Sequence, residues 1–255
     1  MPSSYAHYRF GKLVLPTLPA DVRQCIQRFR RMYDMGLQGP DFFFYYNPFV
    51  KTAIGSLGEV FHSQTGQEFF TRACSAATPE AARAYLYGLL GHYCLDSACH
   101  PFVCRKVSSG EAGHVALESE FDRFLLEMDG ITQPHTYDIS KFLKLTRGEC
   151  MTVATFYPPA TGVHVHHSVR FMAFALKFLA GKNRQRREKL LRRLKPSLLD
   201  SMIPAEPVTA FARMDSELLA RYNRCVKHYP VLLEQLRAHM RTGEMLGEDF
   251  TATFG

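Results

Sequence analysis

Between His92 and His100, three potential metal ligands recur at every fourth position: His92, Asp96 and His100. Their neighbours include Leu89, Leu90, Gly91 and Leu95, so the row sits in an apolar setting. In a helix, residues four apart lie about 40° apart around the axis and roughly 6 Å along it. His92 and Asp96 therefore share a face, and His100 continues it. The outer pair would stand roughly 12 Å apart along the axis and about 80° apart around it. Both could hardly grip one ion, whereas Asp96 between them could bridge two. Polar groups in so apolar a helix need partners, because a buried unpaired charge is costly.

The periodicity of the rest of the chain is helical. Apolar stripes predict helices over 21–35, 51–62, 78–99, 114–128, 163–180 and 184–202, and over 217–241 either one helix kinked at Pro230 or two helices meeting there. Thr78-Pro79-Glu80 reads as a helix start, and Pro101 is expected to end that helix near Cys99 by biasing His100 out of the helical region. The stretch 131–162 carries the turn residues Pro134, Pro158, Pro159 and Gly162, and 243–255 reads as an irregular tail. There is no alternating strand pattern, hairpin signal, internal repeat or long linker. The expected fold is all-α, a single-domain multi-helix bundle over residues 1–255.

At 255 residues with 46% hydrophobic side chains, the chain is near the upper size for one core and can build it without disulfides. A bound metal is then expected to be functional rather than structural. The seven cysteines include Cys94, Cys99 and Cys104, whose spacing fits neither a zinc finger nor a CxxC pair, so they read as buried thiols. Residues 1–11 lack the apolar run of a signal peptide, and no stretch is long and apolar enough to span a bilayer. A cytoplasmic location is expected. The net charge of +7, much of it between Lys182 and Lys195, permits an anionic partner without choosing one. The basic face over 184–202 reads first as solvated surface, with peripheral contact to an anionic membrane or nucleic acid as the alternative.

His114 and Glu118, four apart, form a second unit of ligand spacing in the helix over 114–128. The loop between the two units is short enough to fold that helix back on the first. Zinc suits imidazole plus carboxylate without thiolate, and iron or manganese would accept the same set. Asp41, between Gly39-Pro40 and the aromatic run Phe42 to Tyr46, reads by itself as a turn residue. One helix cannot aim His164, His166 and His167 at a single point, so they read as polar surface or as support for a site.

In this setting the sequence resembles the zinc-dependent phospholipase C family and, more distantly, the zinc nucleases specific for single strands. The matching segments are Tyr5-Ala6-His7-Tyr8, Gly39-Pro40-Asp41, Val60-Phe61-His62, the stretch from His92 to Phe102, and Gly113-His114 through Asp122. The resemblance implies an all-α fold with a three-metal cluster. It implies one ion held by Asp41, His62, His92 and Asp96, a second by His100, His114 and Glu118, and a third by His7 sharing Asp96. It also turns Asp41 from a turn residue into a ligand and a candidate catalytic group. Two departures stand out. Secreted members complete the third ion with a processed N-terminal tryptophan, whereas this chain contains no tryptophan and has six residues before His7. Asp96 and His100 also stand closer in sequence than in those enzymes.

The expected function is hydrolysis of a phosphate ester, phospholipid among the candidates, by two or three Zn2+ ions that activate water. Phe44, Tyr45 and Tyr46 are candidates for a substrate wall. The competing readings are a single-strand nuclease or phosphodiesterase with the same cluster, and a non-catalytic metal-binding protein. The sequence does not speak to oligomeric state.

Overall fold

The computed structural model describes residues 4–181, 183–194 and 196–255. Lys182 and Lys195, the ends of the basic run, lie outside the described residues. Within them the chain forms α1 (Ser4–Val14), α2 (Ala20–Arg28), α3 (Arg30–Gly36), α4 (Leu57–His62), α5 (Gly66–Ala76) and α6 (Glu80–Ser108), then α7 (His114–Met128), α8 (Arg147–Ala154), α9 (Gly162–Leu179), α10 (Arg184–Leu194) and α11 (Ala212–Thr242). No strand occurs among the described residues, so the all-α expectation holds. No helix among them is long and apolar enough to cross a membrane.

The spine is α6, against which α3 and α11 pack along their lengths. Small residues decide how closely α3 approaches. A Cβ on Gly36 would meet the Tyr85 carbonyl at 2.1 Å, and one on Gly88 would meet the Tyr33 carbonyl at 2.1 Å. The two backbones therefore touch, which only glycine at both positions permits. This contact sets the following turn, Gly39–Tyr45, directly beside His92. On the other side, Cys225 Sγ donates to the Cys94 carbonyl at 3.3 Å and Tyr229 Oη to the Tyr87 carbonyl at 2.8 Å, registering α11 on α6.

Several predicted boundaries differ, each for a local reason. The helix expected over 21–35 is two helices parted at Phe29, whose φ of −119° and ψ of 44° leave the helical region. Of 51–62 only α4 is α-helical, because Thr52 Oγ1 captures the Gly55 N–H and offers the backbone a turn instead. The helix expected to stop near Cys99 runs through Pro101 to Ser108. Burial of His100, Phe102 and Val103 holds those last turns despite the lost hydrogen bond. The basic helix ends at Leu194 and is followed by a 3-10 turn, Pro196–Ser201. Pro230 lies within the continuous α11. Three helices had no expectation at all: α1, α5 and α8. The last two each begin with a capping box, Thr65 with Glu68 and Thr146 with Glu149.

The irregular tail is a core element. Phe250 and Phe254 are fully buried, Tyr93 Oη donates to the carbonyls of Asp249 and Ala252, and Gly66 N–H donates to Ala252. Phe254 packs into a cluster with Phe69, Phe70 and Tyr93. Burying two phenylalanines contributes roughly 3–6 kcal/mol before ordering costs.

Asp215, in the first turn of α11, is buried near Glu120 and Arg123, and its Oδ1 has no hydrogen-bond partner. Burial, with help from Glu120 and against Arg123, pushes its carboxyl up to about 7. The folded chain then keeps a proton that the unfolded chain releases near pH 4. The penalty on the carboxylate therefore grows between those values and is complete above pH 7. Asp215→Asn should add on the order of 2–3 kcal/mol near pH 8 and little near pH 4, read by urea unfolding. Equal effects at both pH values would show that burial of the charge is not what the substitution relieves.

Candidate metal centre

Five elements bring the site together. The middle of α6 supplies His92, Asp96 and His100, the last residue of α4 is His62, and the 3-10 turn Gly39–Tyr45 supplies Asp41. His7 comes from α1, and His114 and Glu118 from the first turns of α7. All are buried except His114, which is partly open. The eight side chains named from the sequence thus meet in one place.

Asp96 is the hub. Its Oδ1 lies 3.1 Å from His7 Nε2, and its Oδ2 lies 3.2 Å from His92 Nε2, 3.5 Å from His62 Nε2 and 3.9 Å from His100 Nε2. Asp41 Oδ1 is 3.1 Å from His62 Nε2. Glu118 Oε1 is 3.1 Å from His114 and 3.5 Å from His100. Three sets have ligand atoms within 4.8 Å of one another: His7, Asp41 and His92; His62, His92 and Asp96; and His100, His114 and Glu118. The first two share His92, so one polar cluster has two lobes with Asp96 at the join. Because α6 continues through Pro101, His100 sits one turn beyond Asp96 and still reaches Glu118.

The protein aims these atoms. His62 Nδ1 contacts the Gly58 carbonyl at 2.7 Å and His92 Nδ1 the Leu37 carbonyl at 3.3 Å. A carbonyl only accepts, so each ring carries a proton on Nδ1 and turns Nε2 toward the cluster, the arrangement that suits a metal-binding histidine. His62 Nε2, His92 Nε2, Asp96 Oδ2 and Glu118 Oε2 are fully buried and make no hydrogen bond of acceptable geometry among the described residues. Atoms that face a common centre without bonding one another fit a cation between them.

Electrostatics points the same way. Burial opposes ionisation of Asp96, but His100, His92 and His7 outweigh it and hold the carboxyl well below its usual range. Burial, helped by His7 and His62 and opposed by Asp96 and Asp41, pulls the His92 imidazole down to about 3. Burial also opposes protonation of His62, yet Asp41 and Asp96 push it up to about 10. The cluster carries three buried carboxylates, Asp41, Asp96 and Glu118, and needs positive charge as protons or as metal.

Two supporting features escaped the sequence reading. Asp122 accepts the N–H groups of Tyr5 and Ala6 at 3.0 and 2.9 Å, anchoring the start of α1 and with it His7. The spacing Glu118 to Asp122 was a usable signal, since residues four apart share a face. The second feature is the tail. Gly255 N–H donates to the His62 carbonyl, Phe254 lies 6.2 Å from the His92 ring, and a Cβ on Gly255 would fall 1.8 Å from His100 Nδ1. No local pattern announces that contact. Of the aromatic run, Phe44 is 5.6 Å from His62, while Tyr46 turns to His164 and His167 on α9. Those two histidines therefore support the aromatic turn and lie outside the ligand sets.

An all-α frame around a buried histidine–carboxylate cluster suited to metal defines the class. A family model described as zinc dependent phospholipase C matches residues 6–164, more than half of the chain and all eight cluster residues; the chain belongs to that family. It is thereby a zinc-dependent, phospholipase C-like hydrolase. No curated protein matches the chain, and no solved structure does.

Gly39 has φ of +53°, and a Cβ there would lie 2.2 Å from His92 Cδ2. Gly39→Ala should therefore displace the His92 ring and weaken zinc binding by roughly 10–100-fold while helix content is kept. Chelator competition with circular dichroism reads both; unchanged zinc affinity would show that His92 is not positioned by this turn.

Proposed function

We propose that the chain hydrolyses phosphate esters with a zinc cluster of two or three ions, and that phospholipid is its substrate class. The observation that carries this reading is Asp96, whose carboxylate stands within 4 Å of His7, His62 and His92 in one lobe of the buried cluster and of His100 in the other. One ion is assigned to Asp41, His62, His92 and Asp96, a second to His100, His114 and Glu118, and a third to His7 with Asp96. Zinc held there would supply Lewis acidity toward phosphoryl oxygens and make water acidic enough to attack at neutral pH.

The remaining chemistry belongs to side chains. His92 and His62 help hold the Asp41 carboxyl low against its burial, so its carboxylate can orient the attacking water and take its proton. Nδ1 of His62 and of His92 stay protonated against their carbonyls and keep both rings from swinging. Phe44, beside His62 and half-buried, limits access from one side.

The aromatic stretch that starts at Asp41 continues outward, which favours lipid over nucleic acid. Phe49 and Phe174 are 73% and 65% exposed, and they belong to a ridge in which Phe49 meets Phe171, Phe171 meets Phe174, and Phe174 meets Phe178. The exposed Lys51, Arg170 and Lys177 flank it. Exposed aromatic rings beside lysine and arginine suit the headgroup level of an anionic membrane.

Asp96→Ala should lose bound zinc and more than about a hundredfold of activity together, measured by elemental analysis and by release of phosphorylated headgroup from vesicles. Full metal content in the purified variant would refute the bridging role. The double change Phe49→Ser with Phe174→Ser should slow hydrolysis on vesicles about tenfold and leave a soluble short-chain lipid unaffected. Faster cleavage of a single-stranded oligonucleotide than of any lipid would replace the substrate class and keep the metal assignment.

A further inference from the structure

A cavity that shares no lining residue with the metal cluster lies in the seam between α6 and α11. It measures ≈ 340 Å³ and is lined by Cys94, Ser97 and Ala98 of α6, by Arg221, Arg224, Cys225, His228 and Leu232 of α11, and by Asp249 and Ala252 of the tail. The α11 residues recur at three- and four-residue steps, so one face of that helix forms the wall. The volume is in the range of small-molecule sites.

Its charge is one-sided. Among the described residues neither Arg221 nor Arg224 makes an ion pair, and Arg221 Nε is buried without a hydrogen-bond partner. Arg221 is held in place instead by the Phe102 ring, 5.0 Å from its guanidinium carbon. Elsewhere on the same helix Arg213 pairs with Glu217 at 3.4 Å, and Arg237 with Asp21 at 2.6 Å. The one carboxylate on the groove wall, Asp249, is engaged on both oxygens, with His228 Nε2 3.2 Å from Oδ1 and Gln235 Nε2 donating to Oδ2 at 2.7 Å. The Cys225 thiol registers the field: a hydrogen bond from Cys94 lowers its pKa, and Arg224 and Arg221 lower it further against the effect of burial.

We propose that this groove is a second ligand site, built for a phosphate dianion held by Arg221 and Arg224, either inorganic phosphate or the phosphate end of a small monoester. Two guanidinium forks can each present a pair of N–H donors to a tetrahedral oxyanion, a geometry that lysine does not reproduce. Leu232, Ala98 and Ala252 leave apolar room beside the phosphate, which favours the monoester. The site shares no residue with the metal cluster and does not rest on the reaction proposed above.

The zinc-loaded protein, titrated calorimetrically with inorganic phosphate and separately with glycerol 3-phosphate, tests it. A class of saturable sites should weaken by roughly 10–100-fold in Arg224→Gln and in Arg221→Gln. His114→Ala, altered only at the metal cluster, should retain that class. Arg224 is exposed, so its substitution carries no folding liability and its result stands if Arg221→Gln unfolds. Tighter binding of glycerol 3-phosphate than of phosphate identifies a monoester site, and equal binding identifies a phosphate site; both support the proposal. Binding unchanged in Arg224→Gln, or lost in His114→Ala while the arginine variants keep it, would overturn it.

Discussion

The interaction on which everything else depends is the burial of one carboxylate. Asp96 sits buried in the middle of α6, within 4 Å of four imidazoles drawn from α1, α4 and α6. A carboxylate there is unfavourable by several kcal/mol unless compensated, and no single neighbour suffices. The compensation gathers elements distant in sequence onto α6, so the same charge that threatens the core organises it. Replacing Asp96 by an apolar residue could leave a packed helix bundle, but one without a reason to bring His7 and His62 together.

Packing enforces what charge requests. The backbone contact between Gly36 and Gly88 fixes α3, and the turn after it lays Gly39 against the His92 ring and places Asp41 in the interior. A turn carrying a buried aspartate would be unstable alone, but here the preceding helix is locked before the turn begins. Precision at the cluster therefore derives from small residues some distance along the chain.

Much of this was legible in the sequence, and what was not has identifiable causes. His92, Asp96 and His100 announced themselves because their spacing matches a helix and their neighbours are leucines. His114 and Glu118 did so by the same periodicity. Asp41 was not readable from its own surroundings, since Pro-Asp is ordinary turn chemistry; only the resemblance suggested it was buried. The passage of α6 through Pro101 was invisible locally, because the residues that hold it, Phe102 and Val103, act through tertiary burial. Asp122 carried a spacing signal that passed without use. Phe254 carried none, since its partners Phe69, Phe70 and Tyr93 lie far away in sequence and no period connects them.

That last contact bears on how the centre is built in time. His7 stacks on His92 at 4.5 Å, and Phe254 packs against the same ring from almost the other end of the sequence. During synthesis the helices that carry the cluster emerge well before the tail that walls it. Until that tail arrives, His62 and His100 lack the cover that Phe254 and Gly255 provide, and the rim of the cluster stays open to water. A change at Phe254 or Gly255 therefore reaches the cluster from a part of the chain that carries none of its ligands.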